Sequence, residues 1–251
     1  MVVDYFVVDV ETANQFRHSI CQIGIASFAG GKMVDGWQTL VNPHDEFLSF
    51  NTEIHGIGPR MVADAPCWSE VFLTVASLLD GCAVASHTTF DRSALSGACD
   101  RVGIPTVAYG KWLDTCCLAR CAWPNLPNHK LPTLARTFRI AYKAHDALED
   151  ARVAGEILAL ALIERRTTIS ELLVSPSNHI TAFPKSQPSR CVPVPYSLFP
   201  VPCLFSHRQR IPLGELPLVP VGVDSRPLTR FIQRRHLFRA QVPAHSSQVL
   251  P

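Results

Sequence analysis

The pair Asp9-Val10-Glu11 closes the apolar run Tyr5-Phe6-Val7-Val8. A run so rich in β-branched and aromatic residues reads as a central strand, and residues two apart in a strand project from one face. Both carboxylates therefore point the same way, beside a core. At a separation of about 5 Å they repel by about 3 kcal/mol at an effective dielectric of 20, and desolvation adds to that. Something positive must compensate, and hard oxygen ligands suit Mg²⁺ or Mn²⁺. Taken alone, the pair also fits a strand end facing solvent or arginines.

Two further segments carry matching chemistry. Asp91, in Ser86-His87-Thr88-Thr89-Phe90-Asp91-Arg92, follows a short apolar run and opens a helix, where a lone carboxylate would ordinarily be a cap. In His145-Asp146-Ala147-Leu148-Glu149-Asp150-Ala151, Asp150 falls on the first turn of a long helix and His145 lies just before it. An imidazole beside several carboxylates suits a general base that activates water, whereas a His-Asp pair at a helix start alone suits capping and dipole compensation. Four acids and one histidine in three motifs, each at a strand end or helix start, fit a single acidic pocket better than three independent caps.

The elements that must position these residues follow from periodicity. Ile20 to Ala29 and Lys32 to Val41 read as strands joined by the Gly30-Gly31 turn, a hairpin on the edge of the first strand. Pro66 to Leu79 reads as a helix through Val71, Val75, Leu78 and Leu79. Ala83-Val84-Ala85 is a short buried strand, Asp91 to Val102 a helix and Val107 to Leu113 a strand; Asp114 or Thr115 caps the helix that follows. Leu131 to Phe138 forms a short helix, and Ala147 to Glu164 the last strong one, with Asp146 and Glu149 spaced as a capping box. Three antiparallel strands followed by alternating helices and strands imply an α/β fold: a mixed sheet with helices on both faces.

Composition divides the chain near residue 166. Residues 1–166 hold 14 Lys+Arg and 18 Asp+Glu, while residues 167–251 hold 9 and 3, so a net −4 is followed by +6. Seven prolines precede the break and 13 follow it. Residues 1–166 are thus expected to form one domain, and 167–251 an extended, largely unstructured basic tail. No apolar stretch is long enough for a membrane span, and Met1-Val2-Val3-Asp4-Tyr5 lacks the features of a signal peptide. The 9 cysteines are odd in number and irregularly spaced. Cys116, Cys117 and Cys121 read as thiols on a partly buried helix rather than zinc ligands, which favours the reducing cytoplasm.

With the three motifs in hand, the chain resembles the DnaQ-like, or DEDDh, 3′–5′ exonucleases of the ribonuclease H-like superfamily. Asp9 and Glu11, followed by Thr12, match that family's Asp-x-Glu on the first strand; Phe90-Asp91 matches its second motif; His145 to Ala151 matches its third, His-x-Ala-x-x-Asp-Ala. Asn51-Thr52-Glu53-Ile54-His55-Gly56-Ile57 is similar to the loop after strand three, and His129-Lys130-Leu131 with Leu134-Ala135 also fits. The likeness spans residues 4–164 in order. Ser86-His87 stands where many members carry His-Asn.

The resemblance implies a ribonuclease H-like five-stranded sheet, three strands antiparallel and then two parallel. It also implies that Asp9, Glu11, Asp91 and Asp150 hold two Mg²⁺ or Mn²⁺ ions, one activating water and the other stabilising the leaving 3′-oxygen. His145 is then the general base, Thr12 and His55 grip the terminal nucleotide, and a 5′-nucleotide is released from single-stranded or 3′-terminal DNA or RNA. A DNA polymerase or repair complex is the implied partner. The competing reading is a catalytically weak binding module that keeps the fold for docking, suggested by Ser86-His87 and the unmatched tail.

Overall fold

Strand β1 (Tyr5–Thr12) is the apolar run that ends in the Asp-x-Glu pair. It is central because it is buried on both faces, with Phe6, Val7 and Val8 at 0–2% exposure. The computed structural model describes residues 2–183. Within them β1 pairs antiparallel with β2 (Ile20–Ala29), which pairs antiparallel with β3 (Lys32–Leu40). Gly30 and Gly31 both take positive φ, 59° and 73°, as a tight hairpin turn of this hand needs.

The chain then forms α1 (Ser49–His55), α2 (Trp68–Leu79), β4 (Ala83–Ser86), α3 (Phe90–Val102), β5 (Lys111–Asp114), α4 (Thr115–Ala122), α5 (Leu131–Thr137), α6 (Ala147–Glu164), α7 (Ile169–Leu173) and β6 (His179–Ile180). Strands β4, β5 and β6 continue the sheet in parallel, giving the order β3-β2-β1-β4-β5-β6. The expected mixed sheet, three strands antiparallel and the rest parallel with helices packed on it, is therefore present. No helix among the described residues is long and apolar enough to cross a membrane.

Register decides which side chains share a face. Tyr5 pairs with Phe28, Val7 with Ala26, Asp9 with Gly24 and Glu11 with Gln22. The first two pairs lie in the core cluster that includes Val153, Ala154, Ile157 and Leu158 of α6. By the two-residue period of a strand, Asp9 and Glu11 continue that column beneath the N-terminus of α6. Tyr5 stacks on Phe28 with centroids 5.1 Å apart and donates its hydroxyl to the Gly155 carbonyl at 3.2 Å, fixing α6 along the column.

Several boundaries differ from the sequence expectation. The sheet has a sixth strand beyond the five expected, because His179–Ile180 pairs with Trp112 and Leu113. Residues past 166 are packed: Leu172 of α7 is fully buried and Ile180 is 3% exposed. The Lys111 ammonium donates to the carbonyls of Ser175 and Ser177, holding the intervening turn, in which Pro176 costs nothing. The rest of the proline-rich tail, 184–251, lies outside the described residues. Strand β5 begins at Lys111 rather than Val107, since β4 offers only four residues to pair.

Residues 49–55, expected in a loop, form α1; no residue of α1 is buried, so it carries no apolar period to read. Asp146 caps α6 by accepting from Glu149 N, but the capping box stays open because the Glu149 carboxylate is held by Arg152. Asp114 caps α4, and Cys116, Cys117 and Cys121 on that helix are free thiols, graded from buried to exposed.

Candidate active site

Strand β1 outruns β4. Their pairing covers only Phe6 with Val84 and Val7 with Ala85, so the Val10 amide, between the two acids, has no strand on that side. Asp91, at the start of α3, fills the gap: its Oδ1 accepts from Val10 N at 3.2 Å. The second motif is thereby joined to the first. The third arrives from the opposite side on α6, whose Ala147 N donates to Gln22 Oε1 at 3.2 Å. Asp150 Oδ2 accepts from the His145 backbone N at 2.8 Å, and His145 Nδ1 lies 3.9 Å from Glu11 Oε1. Glu11, His145 and Asp150 each offer a ligand atom within 4.8 Å of the others.

The electrostatics match a crowded acid site. Burial, then Asp91, Asp150 and Glu11, pushes the Asp9 carboxyl well above the usual carboxylate range. Glu11 is pushed up to about 8 by burial and then by Asp150 and Asp91. Asp91 rises to about 7, burial outweighing the amide bonds that favour its charge, and Asp150 rises to about 6, again mainly through burial. Among the described residues no Lys or Arg forms an ion pair with any of the four. Four convergent hard oxygen donors without a resident cation fit a divalent metal centre of Mg²⁺ or Mn²⁺ type.

A stability test follows from the sign of these shifts. Each carboxyl binds its proton more tightly folded than unfolded, so the folded state holds more protons between about pH 4 and 8. Stability contributed by protonation is complete below the unfolded values and is lost as pH rises through the folded ones. With EDTA the melting temperature is expected to fall across that window; with millimolar Mg²⁺ the fall should shrink or vanish. A metal-free melting temperature that rises from pH 5 to 8 would contradict the site.

The surrounding residues brace the acids. His145 takes φ 63°, and its side chain is 52% exposed. The loop before it is tied to α6 by Arg152, which donates to the Ala141 carbonyl at 2.8 Å while bound to Glu149 and Glu156. Thr12 is buried, and its carbonyl accepts from Asn51 Nδ2 at 3.0 Å. His55 Nδ1 accepts from Ile57 N, so Nε2 carries the proton and donates to Thr12 O at 3.2 Å. Both ring nitrogens of His55 are thus engaged, Nε2 seating α1 against the end of β1 and Nδ1 holding the Ile57 amide just after the helix, and burial lowers the pKa of the ring.

At the departure Ser86-His87, the Ser86 hydroxyl accepts from Trp112 Nε1 and donates to Thr88 O. His87 is bridged between the Thr115 hydroxyl and the His129 carbonyl, which accounts for His129. Both residues serve as local scaffold. Sequence reasoning missed Gln22, Gly24 and Arg152. Only Gly24 left a signal, a glycine inside a strand, which marks close backbone approach.

The family model RNase_T, described as Exonuclease, matches residues 6–158. The chain belongs to this exonuclease family. It is DnaQ-like, of the ribonuclease H-like superfamily. The exonuclease domain is 32% identical over 181 residues to DNA polymerase III PolC-type of Caldanaerobacter subterraneus subsp. tengcongensis, covering 70% of this chain and 13% of that protein. The PolC-type polymerase of Bacillus subtilis (strain 168) is 28% identical over 158 residues, with 61% and 11% covered. The chain therefore spans only about an eighth of these relatives.

Among solved structures, Exonuclease X in complex with 5′ overhanging duplex DNA superposes with TM-score 0.53 at 24% identity, covering 66% of this chain and 95% of that one. The nuclease domain of 3′hExo, a DEDDh family member bound to rAMP, gives 0.54 at 16%, covering 64% and 93%. These two likenesses concern the fold.

Proposed function

We propose that the domain is a metal-dependent 3′–5′ exonuclease that hydrolyses the terminal phosphodiester of a nucleic-acid strand and releases 5′-nucleotides. The observation that carries this reading is the convergence of three distant motifs through Asp91 on Val10 N, His145 N on Asp150 and the His145 ring beside Glu11. Asp9, Glu11, Asp91 and Asp150 would hold two divalent cations. Bound cations supply Lewis-acid polarisation of the phosphate and acidify coordinated water. His145 Nδ1, the imidazole nitrogen on the Glu11 side, takes the proton of the attacking water, and its exposure lets it pass that proton to solvent. Asp150 orients His145 through the backbone bond, and Arg152 limits the motion of the loop that carries it.

Thr12 and His55 form the proposed grip on the terminal nucleotide. His55 acts by fixing α1, since its nitrogens are already used. The substrate class is nucleic acid with a free 3′ end. The PolC-type relatives make a replication polymerase the natural candidate partner.

The test uses single strands of matched DNA and RNA sequence, labelled at either end, with Mg²⁺. A 3′ label should leave as a mononucleotide in the first turnover, and a 5′ label should report a ladder shortening from the far end. Absence of release, or digestion beginning at the 5′ end, would end the proposal; relative rates on DNA and RNA would assign the sugar.

A further inference from the structure

Beside the acid pocket, on the other side of the Phe90-Asp91 step, lies a cavity of about 580 Å³ between the loop after β1 and the outer face of α3. Its walls carry Phe16, Arg17, Arg92, Ser93 and Ser96, with Asp100 the one carboxylate among the lining residues. We propose that this groove holds the sugar-phosphate backbone of the nucleic acid away from the cleaved bond; the inference rests on the exonuclease reading above.

Three observations support it. First, Arg17 and Arg92 are exposed and form no ion pair among the described residues, in a domain whose charge is otherwise net acidic. Each guanidinium instead lies over an aromatic ring: Arg17 is 4.9 Å from the Phe90 centroid and Arg92 is 5.8 Å from that of Trp112. Such stacking holds the plane of the group and leaves its edge N–H donors for phosphate oxygens.

Second, the groove wall is rigid before any ligand arrives. Asn14 accepts from Phe16 N and donates to the Glu46 carbonyl at 2.7 Å, Ser19 Oγ donates to the Phe16 carbonyl at 2.7 Å, and His18 is fixed on Asp45 at 3.2 Å. Phe16 is nevertheless 53% exposed, its ring stacked on His18 with centroids 5.6 Å apart. An exposed aromatic held on a rigid loop costs apolar hydration, and a nucleobase stacked on it would relieve that cost.

Third, the groove is continuous with the chemistry. The Arg17 guanidinium reaches the carbonyl of Phe90, the residue before Asp91, at 3.5 Å. A strand whose 3′ end lies among the acids therefore meets paired aromatic and arginine side chains within a nucleotide or two. Arginine with stacking rings is the combination that binds single strands without reading sequence.

The same phosphate chemistry has two sources: the cleaved strand upstream of its 3′ end, or the complementary strand of a duplex. The experiment compares wild type with R17A, R92A and the charge-keeping R17K and R92K, using a dinucleotide, a single strand of about 16 nucleotides and the same strand in a duplex with a recessed 3′ end. KM for the long substrates should rise roughly tenfold in each alanine variant, with kcat and the dinucleotide kcat/KM unchanged and only part of the loss recovered by lysine, which keeps the charge but not the stacked plane. The log–log salt slope should fall by about one per arginine removed. Loss on both long substrates assigns the groove to the cleaved strand, and loss on the duplex alone to its complement. Unchanged KM on both, or equal loss on the dinucleotide, overturns the proposal. Anisotropy of a labelled 16-mer without metal gives the same comparison independent of hydrolysis, so a failure of catalysis is not mistaken for a failure of the groove.

Discussion

Asp9→Asn is expected to lower hydrolysis by at least about a thousandfold while raising the melting temperature of the metal-free protein at pH 8. The two effects share one cause. The Asp9 carboxyl is pushed well above the usual carboxylate range, first by burial and then by Asp91, Asp150 and Glu11. Folding the wild type without metal at alkaline pH therefore means either protonating Asp9 or burying its charge among three other carboxyls. Asparagine keeps the shape and removes both costs. At pH 4, close to the ordinary aspartate pKa, protonating the wild-type carboxyl costs little, so the variant's advantage should be small there and grow toward pH 8. Each kcal/mol of that advantage shifts melting by about 2–4 °C in a domain of this size.

Millimolar Mg²⁺ should reverse the order, because an ion that binds only the folded state stabilises it by mass action, and the variant has lost a ligand. Melting curves with EDTA and with Mg²⁺, at pH 4 and pH 8, read all four corners. An activity loss below tenfold, or a variant less stable than wild type at pH 8 in EDTA, would show that Asp9 is a structural acid rather than part of a metal centre.

How much of this site could be read from the chain depends on the range of the interaction. The shared face of Asp9 and Glu11 follows from the two-residue period of β1, and the Asp146 cap from its place before the apolar repeat of α6. Both are local. The junctions between motifs are not. Asp91 reaches Val10 N because β1 is eight residues long and β4 only four, a difference of strand lengths that no motif encodes. Helix α1 was illegible because it buries nothing, being held instead by Asn51 and His55 on the Thr12 carbonyl. Strand β6 was illegible because two residues carry no period, and the proline count around it favoured a tail. Glu149 had the spacing of a capping box, yet Arg152 offers it two charge-assisted bonds, at 2.8 and 3.1 Å, against one neutral amide.

The second large effect is expected at a residue without functional atoms. Gly24 stands opposite Asp9 in the β1–β2 register, and α6 begins directly above it. A Cβ there would lie 2.3 Å from Leu148 N and 2.4 Å from Ala147 C, both backbone. Backbone cannot rotate aside as a side chain can, so Gly24→Ala must lift the first turn of α6 from the sheet or bend β2 away. Either movement carries Asp150 and the loop of His145 off Asp9 and Glu11, and breaks the bond from Ala147 N to Gln22. Overpacking of this kind costs about 1–3 kcal/mol, and misplacing catalytic groups by about 1 Å costs on the order of a hundredfold in rate.

Gly97→Ala is the control, with its rate read on the dinucleotide because Gly97 also lines the groove beside α3. Its Cβ would meet the His18 backbone at an ordinary 3.5 Å, inside helix α3. There the better helix propensity of alanine should leave stability unchanged or raised by up to about 1 kcal/mol. Thermal melting and initial rates on both variants decide the matter. If Gly24→Ala melts and cleaves like wild type, the contact between α6 and β2 does not set the acid geometry. If it loses rate far beyond its loss of stability, that approach is what brings the third motif to the first two.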